Sequence, residues 1–202
     1  MQKLFAVLAA MLIALPAWAV EGDHRTQQPE DKVIGSAAAK VEVIEYASLA
    51  CSHCAKFYTD ILPTIKKEYI DTGKARLIYR DFPHNEPALA ASVVAQCTAK
   101  QLGDTVYFSM IKTLFTEQKQ WAFDAMFQTK LLKYAHDTGV DKEKLMACLT
   151  DEQTVTDILQ TRKIGAELLR VETTPSFFFN GELKDIHSLE DMRAALDAAL
   201  TK

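Results

Sequence analysis

What most constrains the fold of this chain is the order in which two hydrophobic periods follow one another. KVEVIEY, residues 40–46, alternates apolar and acidic residues among β-branched neighbours, the period of a strand with Val41, Val43 and Glu45 on one face. From Cys51 the period changes. Ala55, Tyr58, Ile61, Leu62, Ile65 and Tyr69 recur at spacings of three and four, so a helix is expected, kinked but not ended by Pro63 because the apolar period resumes behind it. Gly73 closes that helix, and ARLIYRDF, residues 75–82, reads as a second strand with its charged side chains turned outward. Strand, helix, strand makes a crossover and hence a parallel pair. From about Glu86 to Leu169 the period is helical, with breaks near Gly103 and Gly139 and four or five helices expected. Strand character returns at residues 176–179, Asn180-Gly181 signals a tight hairpin, and residues 183–186 form the partner strand. Ser188 with Asp191 is a capping box for a last helix, whose Leu189, Met192, Leu196 and Leu200 form a buried stripe. The class is α/β: a βαβ half, a large helical block, and a ββα half.

The compartment decides what a cysteine can be. The chain opens with Lys3, an apolar stretch from Leu4 to Leu15, Pro16, and the small-residue pattern Ala17-Trp18-Ala19, which reads as a signal peptide for export, cleaved after Ala19. A membrane anchor is the alternative, but the apolar run falls short of the roughly 20 residues that a spanning helix needs. Export places the mature chain in an oxidising space, where thiols tend to pair. Residues 20–32 are polar and read as a short N-terminal tail. The net charge of −4 gives no support to a nucleic-acid or anionic-membrane partner. No phosphate loop, nucleotide fingerprint or paired-carboxylate motif is present, so no cofactor is expected. Four cysteines are too few for a disulfide scaffold in a chain of 202 residues, and each pair needs its own explanation.

Cys51 and Cys54 are separated by Ser52 and His53 at the point where strand gives way to helix. A cysteine in the first turn of a helix faces unpaired N–H groups and the positive end of the helix dipole, both of which stabilise a thiolate. Cys51 is thus the expected exposed, acidic sulfur and Cys54, one turn in, its shielded resolving partner. His53 adds a donor and, when protonated, a positive charge that favours the reduced form and makes the disulfide more oxidising. Zinc binding and a plain structural disulfide are the rivals. A structural zinc site needs four ligands, and Cys97 and Cys148 are not grouped as a second Cys-x-x-Cys, so no metal is expected. Glu45, six residues before Cys51, is either a solvated edge residue or a buried acid that exchanges a proton with Cys54. Pro175 is either an ordinary strand-opening proline or a cis proline facing the two sulfurs, exposing the Thr174 backbone to an extended client chain.

Together, IEYASLACSHCAKF, YRDFP and TTPSFFFNG, in this order and with a helical block between the last two, resemble the DsbA-like thiol:disulfide oxidoreductases of the bacterial envelope. The resemblance implies a thioredoxin-like fold with an inserted all-helical domain: residues 33–84 and 171–202 form the thioredoxin-like part and 85–170 the insertion. It also implies Cys51 as nucleophile, Cys54 as resolving cysteine, Glu45 as buried acid and Pro175 as a cis proline. Its implied function is donation of the Cys51–Cys54 disulfide to exported cysteine-containing clients in the periplasm, with a DsbB-like membrane quinone reductase as reoxidant. Two residues depart from the best-studied oxidases: Ser52 stands in place of proline, and Thr174 in place of valine. Threonine there also occurs in the isomerase branch, so an isomerase or reductase is the alternative, and a non-catalytic metal- or client-binding module is a more distant one. Isomerases of this class use a dimerising N-terminal domain for which residues 20–31 are too short, which favours a monomeric oxidase.

Cys97 and Cys148 lie on helix-like runs within the inserted block. In an oxidising compartment they would be joined if those helices pack side by side; the alternative is two separate buried thiols. Phe177, Phe178 and Phe179 read as strand core. Trp121, Phe123, Met126 and Phe127 read as helix packing, and His84 and His136 as solvated.

Overall fold

The computed structural model describes residues 23–202; the leader expected over 1–19 lies outside the described residues. Five strands, β1 (Lys32–Ile34), β2 (Val41–Ala47), β3 (Ala75–Asp81), β4 (Ser176–Phe179) and β5 (Glu182–Lys184), form one sheet in the order β1-β3-β2-β4-β5. β2 is central, parallel to β3 and antiparallel to β4, with Glu45 opposite Tyr79 on one side and Phe177 on the other. All seven residues of β2 are buried, as a central strand covered on both faces requires. Val41, Val43 and Ala47 join the larger core cluster, while Ile44 and Tyr46 pack on the opposite face against Phe82, Val171 and Phe178.

The crossover from β2 to β3 is one continuous helical run: α1 (Ser52–Lys56), a π-helical stretch Phe57–Ile61, α2 (Leu62–Ile65) and a second π-helical stretch Lys66–Ile70. Pro63 falls within the first turn of α2, where its missing N–H costs little, and the widened turn before it absorbs the proline without ending the helix. The hairpin signal is realised with both turn residues at positive φ, Asn180 at 47° and Gly181 at 83°, as the tight turn requires. The partner strand β5 starts at Glu182, directly after the turn, and ends two residues sooner than the sequence indicated.

Between β3 and β4 lie six helical segments, one more than the upper expectation because the last turn before Trp121 stands alone: α3 (Glu86–Leu102), α4 (Asp104–Thr116), α5 (Gln118–Trp121), α6 (Phe127–Asp137), α7 (Lys142–Leu149) and α8 (Glu152–Glu167). Gly165 lets α8 approach the sheet, since a Cβ there would sit 2.8 Å from the Tyr46 ring. The chain closes with α9 (Leu189–Leu200), where the Ser188 side chain accepts the Asp191 N–H.

A disulfide joins Cys97 on α3 to Cys148 on α7, their Cα atoms 5.7 Å apart. On the chain-entropy account, closing the loop stabilises by at most roughly 4 kcal/mol. The double variant Cys97→Ala/Cys148→Ala is expected to lose about 2–4 kcal/mol in urea unfolding. An unchanged midpoint would show that α3 and α7 are held by packing alone.

Two expectations need correction. The polar stretch before β1 is not a free tail, and Lys32 already belongs to β1, which pairs antiparallel with β3. Nor do the charges of β3 face water, since Arg80 is 3% and Asp81 4% exposed. The Arg80 guanidinium pairs with Asp31 at 2.9 and 2.7 Å and donates to the Thr26 and His24 carbonyls and the Tyr46 hydroxyl. The N-terminal stretch therefore supplies the acceptors a buried guanidinium needs. Asp81 accepts from Ser92 at 2.5 Å and Gln96 at 3.0 Å, both on α3.

Candidate active site

Because β2 and β3 are parallel, with Ala47 opposite Asp81, the loops that follow them leave the same edge of the sheet. The loop after β2 turns tightly, the Cys51 N–H reaching the Ser48 carbonyl at 2.9 Å, and Cys51 becomes the N-cap of α1 with extended backbone. The strand-to-helix switch in the sequence thus delivers one sulfur to the helix mouth and buries the other, Cys54, completely. Both are free thiols here.

Their acidities are driven apart. The Cys51 thiol is held down, to about 5, chiefly by its hydrogen bond with Cys54. Partial burial opposes this, while the Thr174 side chain and the backbone N–H groups of Cys54 and His53 add to it. Burial pushes the Cys54 thiol up, and the hydrogen bond with Cys51 and the charges of Glu45 and Cys51 push the same way. Glu45 is fully buried on β2, which excludes the solvated-edge reading. Neither of its carboxylate oxygens has a hydrogen-bond partner among the described residues. Burial holds its carboxyl well above the usual range, and the charge of Cys51 adds to that. Glu42 on the same strand shows the contrast: Arg76 pairs with it at 2.5 Å and the Gln27 N–H at 3.0 Å. Burial thus favours the protonated form of Glu45, which is close enough to Cys51 to feel its charge and has neither carboxyl oxygen hydrogen-bonded among the described residues.

Across from the helix mouth, the Thr174–Pro175 bond is cis, and the Cys51 sulfur lies 3.3 Å from the Thr174 carbonyl. An open cleft of about 740 Å³ runs from here, lined by His53, Lys56, Phe57, Thr174 and Pro175 among others. The His53 ring is exposed and makes no hydrogen bond among the described residues; its backbone N–H is what reaches Cys51. Cys97 and Cys148 are bonded to each other in the helical block and contribute no ligand to the Cys51–Cys54 pair. Among the described residues, no group of three or more His, Cys, Asp or Glu side chains is arranged to hold a metal.

Sequence reasoning missed two residues. Gln118, buried on α5, donates from Nε2 to the Leu49 carbonyl at 2.7 Å and the Cys51 carbonyl at 2.9 Å, tying the helical block to the cysteine turn. Only its place in a helical run was visible in sequence. His84, read as solvated, has an exposed ring whose Nε2 lies 2.8 Å from the Thr174 hydroxyl. Its signal was its position just after β3, at the carboxyl edge of two parallel strands. Two of the expected packing residues also differ: Trp121 and Phe127 are buried, but Phe123 is 75% and Met126 62% exposed, because the chain turns between α5 and α6 and carries both outward.

A family model described as thioredoxin matches residues 27–198. The chain belongs to the thioredoxin family. Within that family its architecture is DsbA-like, with the helical block inserted between β3 and β4. The crystal structure of Wolbachia pipientis alpha-DsbA1 superposes with a TM-score of 0.78 at 27% identity, covering 87% of this chain and 93% of that one. BdbD from Bacillus subtilis, in its oxidised form, shares the fold at a TM-score of 0.76 and 20% identity, over 85% of this chain and 94% of that one. A Rickettsia conorii protein named "Putative protein-disulfide oxidoreductase" is 30% identical over 171 residues, 84% of this chain. The matched stretch is 60% of that relative's length.

Proposed function

We propose that this thioredoxin-family chain is a thiol:disulfide oxidoreductase of the periplasm, exported by a leader cleaved after Ala19. As a monomer, it donates its Cys51–Cys54 disulfide to newly exported proteins. The observation that carries the reading is the split between the two sulfurs: a thiolate-favouring Cys51 at the helix mouth beside a buried, proton-retaining Cys54 and an unpaired Glu45.

In the oxidised protein, a client thiolate attacks the Cys51 sulfur. The Cys51–Cys54 bond breaks, a client–Cys51 disulfide forms, and Cys54 leaves as a thiolate that takes a proton from Glu45. The client's second thiolate then attacks the client sulfur of the mixed disulfide and expels Cys51, a good leaving group because its thiolate is stabilised. Two electrons pass from client to protein. Thr174 and Pro175 present an edge to the client's extended backbone, and the exposed His53 borders its path. A DsbB-like membrane quinone reductase is the reoxidant. The thioredoxin-like part, 33–84 with 171–202, carries this chemistry, and the insertion 85–170 shapes the client side.

The test pairs two assays on the mature oxidised protein: oxidation of a reduced two-cysteine client, and unscrambling of a mispaired one. One client disulfide per protein disulfide, with little unscrambling, is expected. Unscrambling faster than oxidation would make the chain an isomerase.

A further inference from the structure

A buried carboxamide is costly unless all of its polar atoms find partners, and Gln118 is 4% exposed. What it holds is the turn that carries the reactive sulfur. Its Nε2 has two hydrogens and meets two carbonyls, those of Leu49 at 2.7 Å and Cys51 at 2.9 Å. A carbonyl only accepts, so the amide nitrogen, and not its oxygen, must face the turn. The Cys51 carbonyl is shared: its second partner is the Ala55 N–H at 3.1 Å, the bond that opens α1. On its other side the Cys51 N–H returns to the Ser48 carbonyl at 2.9 Å. The backbone of the reactive cysteine is therefore pinned by its own turn, by the first bond of the helix, and by one side chain from the helical insertion.

We propose that Gln118 is a positioning residue: by holding the Leu49 and Cys51 carbonyls it fixes the cysteine turn, so that the helical insertion sets how well the Cys51 sulfur is placed at the mouth of α1. This rests on the oxidoreductase reading and adds to it a residue that touches neither sulfur. The anchor is itself rigid. α5 is a single turn, yet Trp121 at its end is fully buried and donates from Nε1 to the Leu114 carbonyl at 2.9 Å, and the Ala122 N–H closes on the Gln118 carbonyl at 2.8 Å. A site held to a fraction of an ångström needs such a locked support. The Leu49 carbonyl has no other hydrogen-bond partner among the described residues, so without the amide it is left buried and unpaired and the turn is free to shift. A shifted Cys51 moves its sulfur off the N–H groups at the start of α1, which lie within the first turn and act only at close range.

The experiment compares Gln118→Met, Gln118→Asn and Trp121→Phe in the full mature protein. Thiolate absorbance against pH and the equilibrium constant with glutathione report on the sulfur, and the urea midpoint reports on the fold. Gln118→Met keeps the length of the side chain but has no donor. It is expected to raise the Cys51 midpoint by about one pKa unit and to make the protein about tenfold less oxidising. Gln118→Asn keeps both N–H groups on a shorter stem and should fall between Met and the wild type; it carries the comparison alone if Gln118→Met does not fold. Trp121→Phe removes the Nε1–H bond to Leu114 and loosens the helical block without touching the turn, so its urea midpoint should drop while the Cys51 midpoint stays. A lower urea midpoint in the Gln118 variants with both sulfur readouts unchanged would overturn the proposal, making the glutamine a structural tie only, and would leave the oxidoreductase reading standing. A shift of the Cys51 midpoint in Trp121→Phe as large as in Gln118→Met would overturn it as well, since any loosening of the block would then suffice. A wild-type midpoint at the free-cysteine value would sink both the proposal and that reading.

Discussion

Cys54→Ala is expected to accumulate a mixed disulfide with client through Cys51, while Cys51→Ala loses exchange altogether. In the reduced Cys54→Ala protein one acidic thiol remains, and a client or glutathione disulfide transfers onto it without an internal partner to release it. Activity of Cys51→Ala should fall at least about 10³-fold, the scale on which loss of a nucleophile registers. Non-reducing electrophoresis of the quenched reaction separates the outcomes. Cys51→Ala trapping client as readily as Cys54→Ala would reverse the roles given to the two sulfurs. The partition follows from burial: Cys51 is partly exposed at the helix mouth, whereas Cys54 is completely buried.

The second large effect is on stability and lies far from the sulfurs. Asp31→Ala should destabilise the fold by about 3–5 kcal/mol, the cost of leaving a buried charge without its partner. The Asp31 and Arg80 side chains are 6% and 3% exposed, and their ion pair closes at 2.7 Å. The doubly apolar variant Asp31→Leu/Arg80→Met should recover part of the loss, because removing both charges also removes the unpaired one. Urea unfolding followed by circular dichroism reads this directly. A change below 1 kcal/mol in Asp31→Ala would mean that the backbone carbonyls of His24 and Thr26 hold the guanidinium unaided, about the level of an exposed pair.

These two cases mark what the sequence could and could not reveal. The sheet, its crossover and the place of Cys51 were legible because period two, period three to four and the Cys-x-x-Cys spacing are local signals that burial enforces. Glu45 was legible as a choice between two states, and the central position of β2, a property of strand order, resolved it. Arg80 was misread because its partners come from a stretch that has no period of its own; a polar segment that serves as a lid of acceptors looks like a tail. His84 and Gln118 were missed for the same reason: each acts on a residue far along the chain, Thr174 and Cys51, through one hydrogen bond. Phe123 and Met126 fit a helical period on paper, but the turn between α5 and α6 breaks that period and leaves both exposed.

The central claim is that this fold makes Cys51 a stabilised thiolate. A depressed thiol pKa stabilises the folded reduced protein fully above the unfolded value of about 8.5 and loses that contribution as pH falls through the folded value. The measurement is the thiolate absorbance of the reduced mature protein titrated from alkaline to acid pH, with Cys51→Ala as the blank. A single transition near 5, absent from the blank, is the result predicted by the hydrogen bond from Cys54 and the N–H groups at the start of α1. A midpoint near 8.5, the ordinary cysteine value, would contradict it.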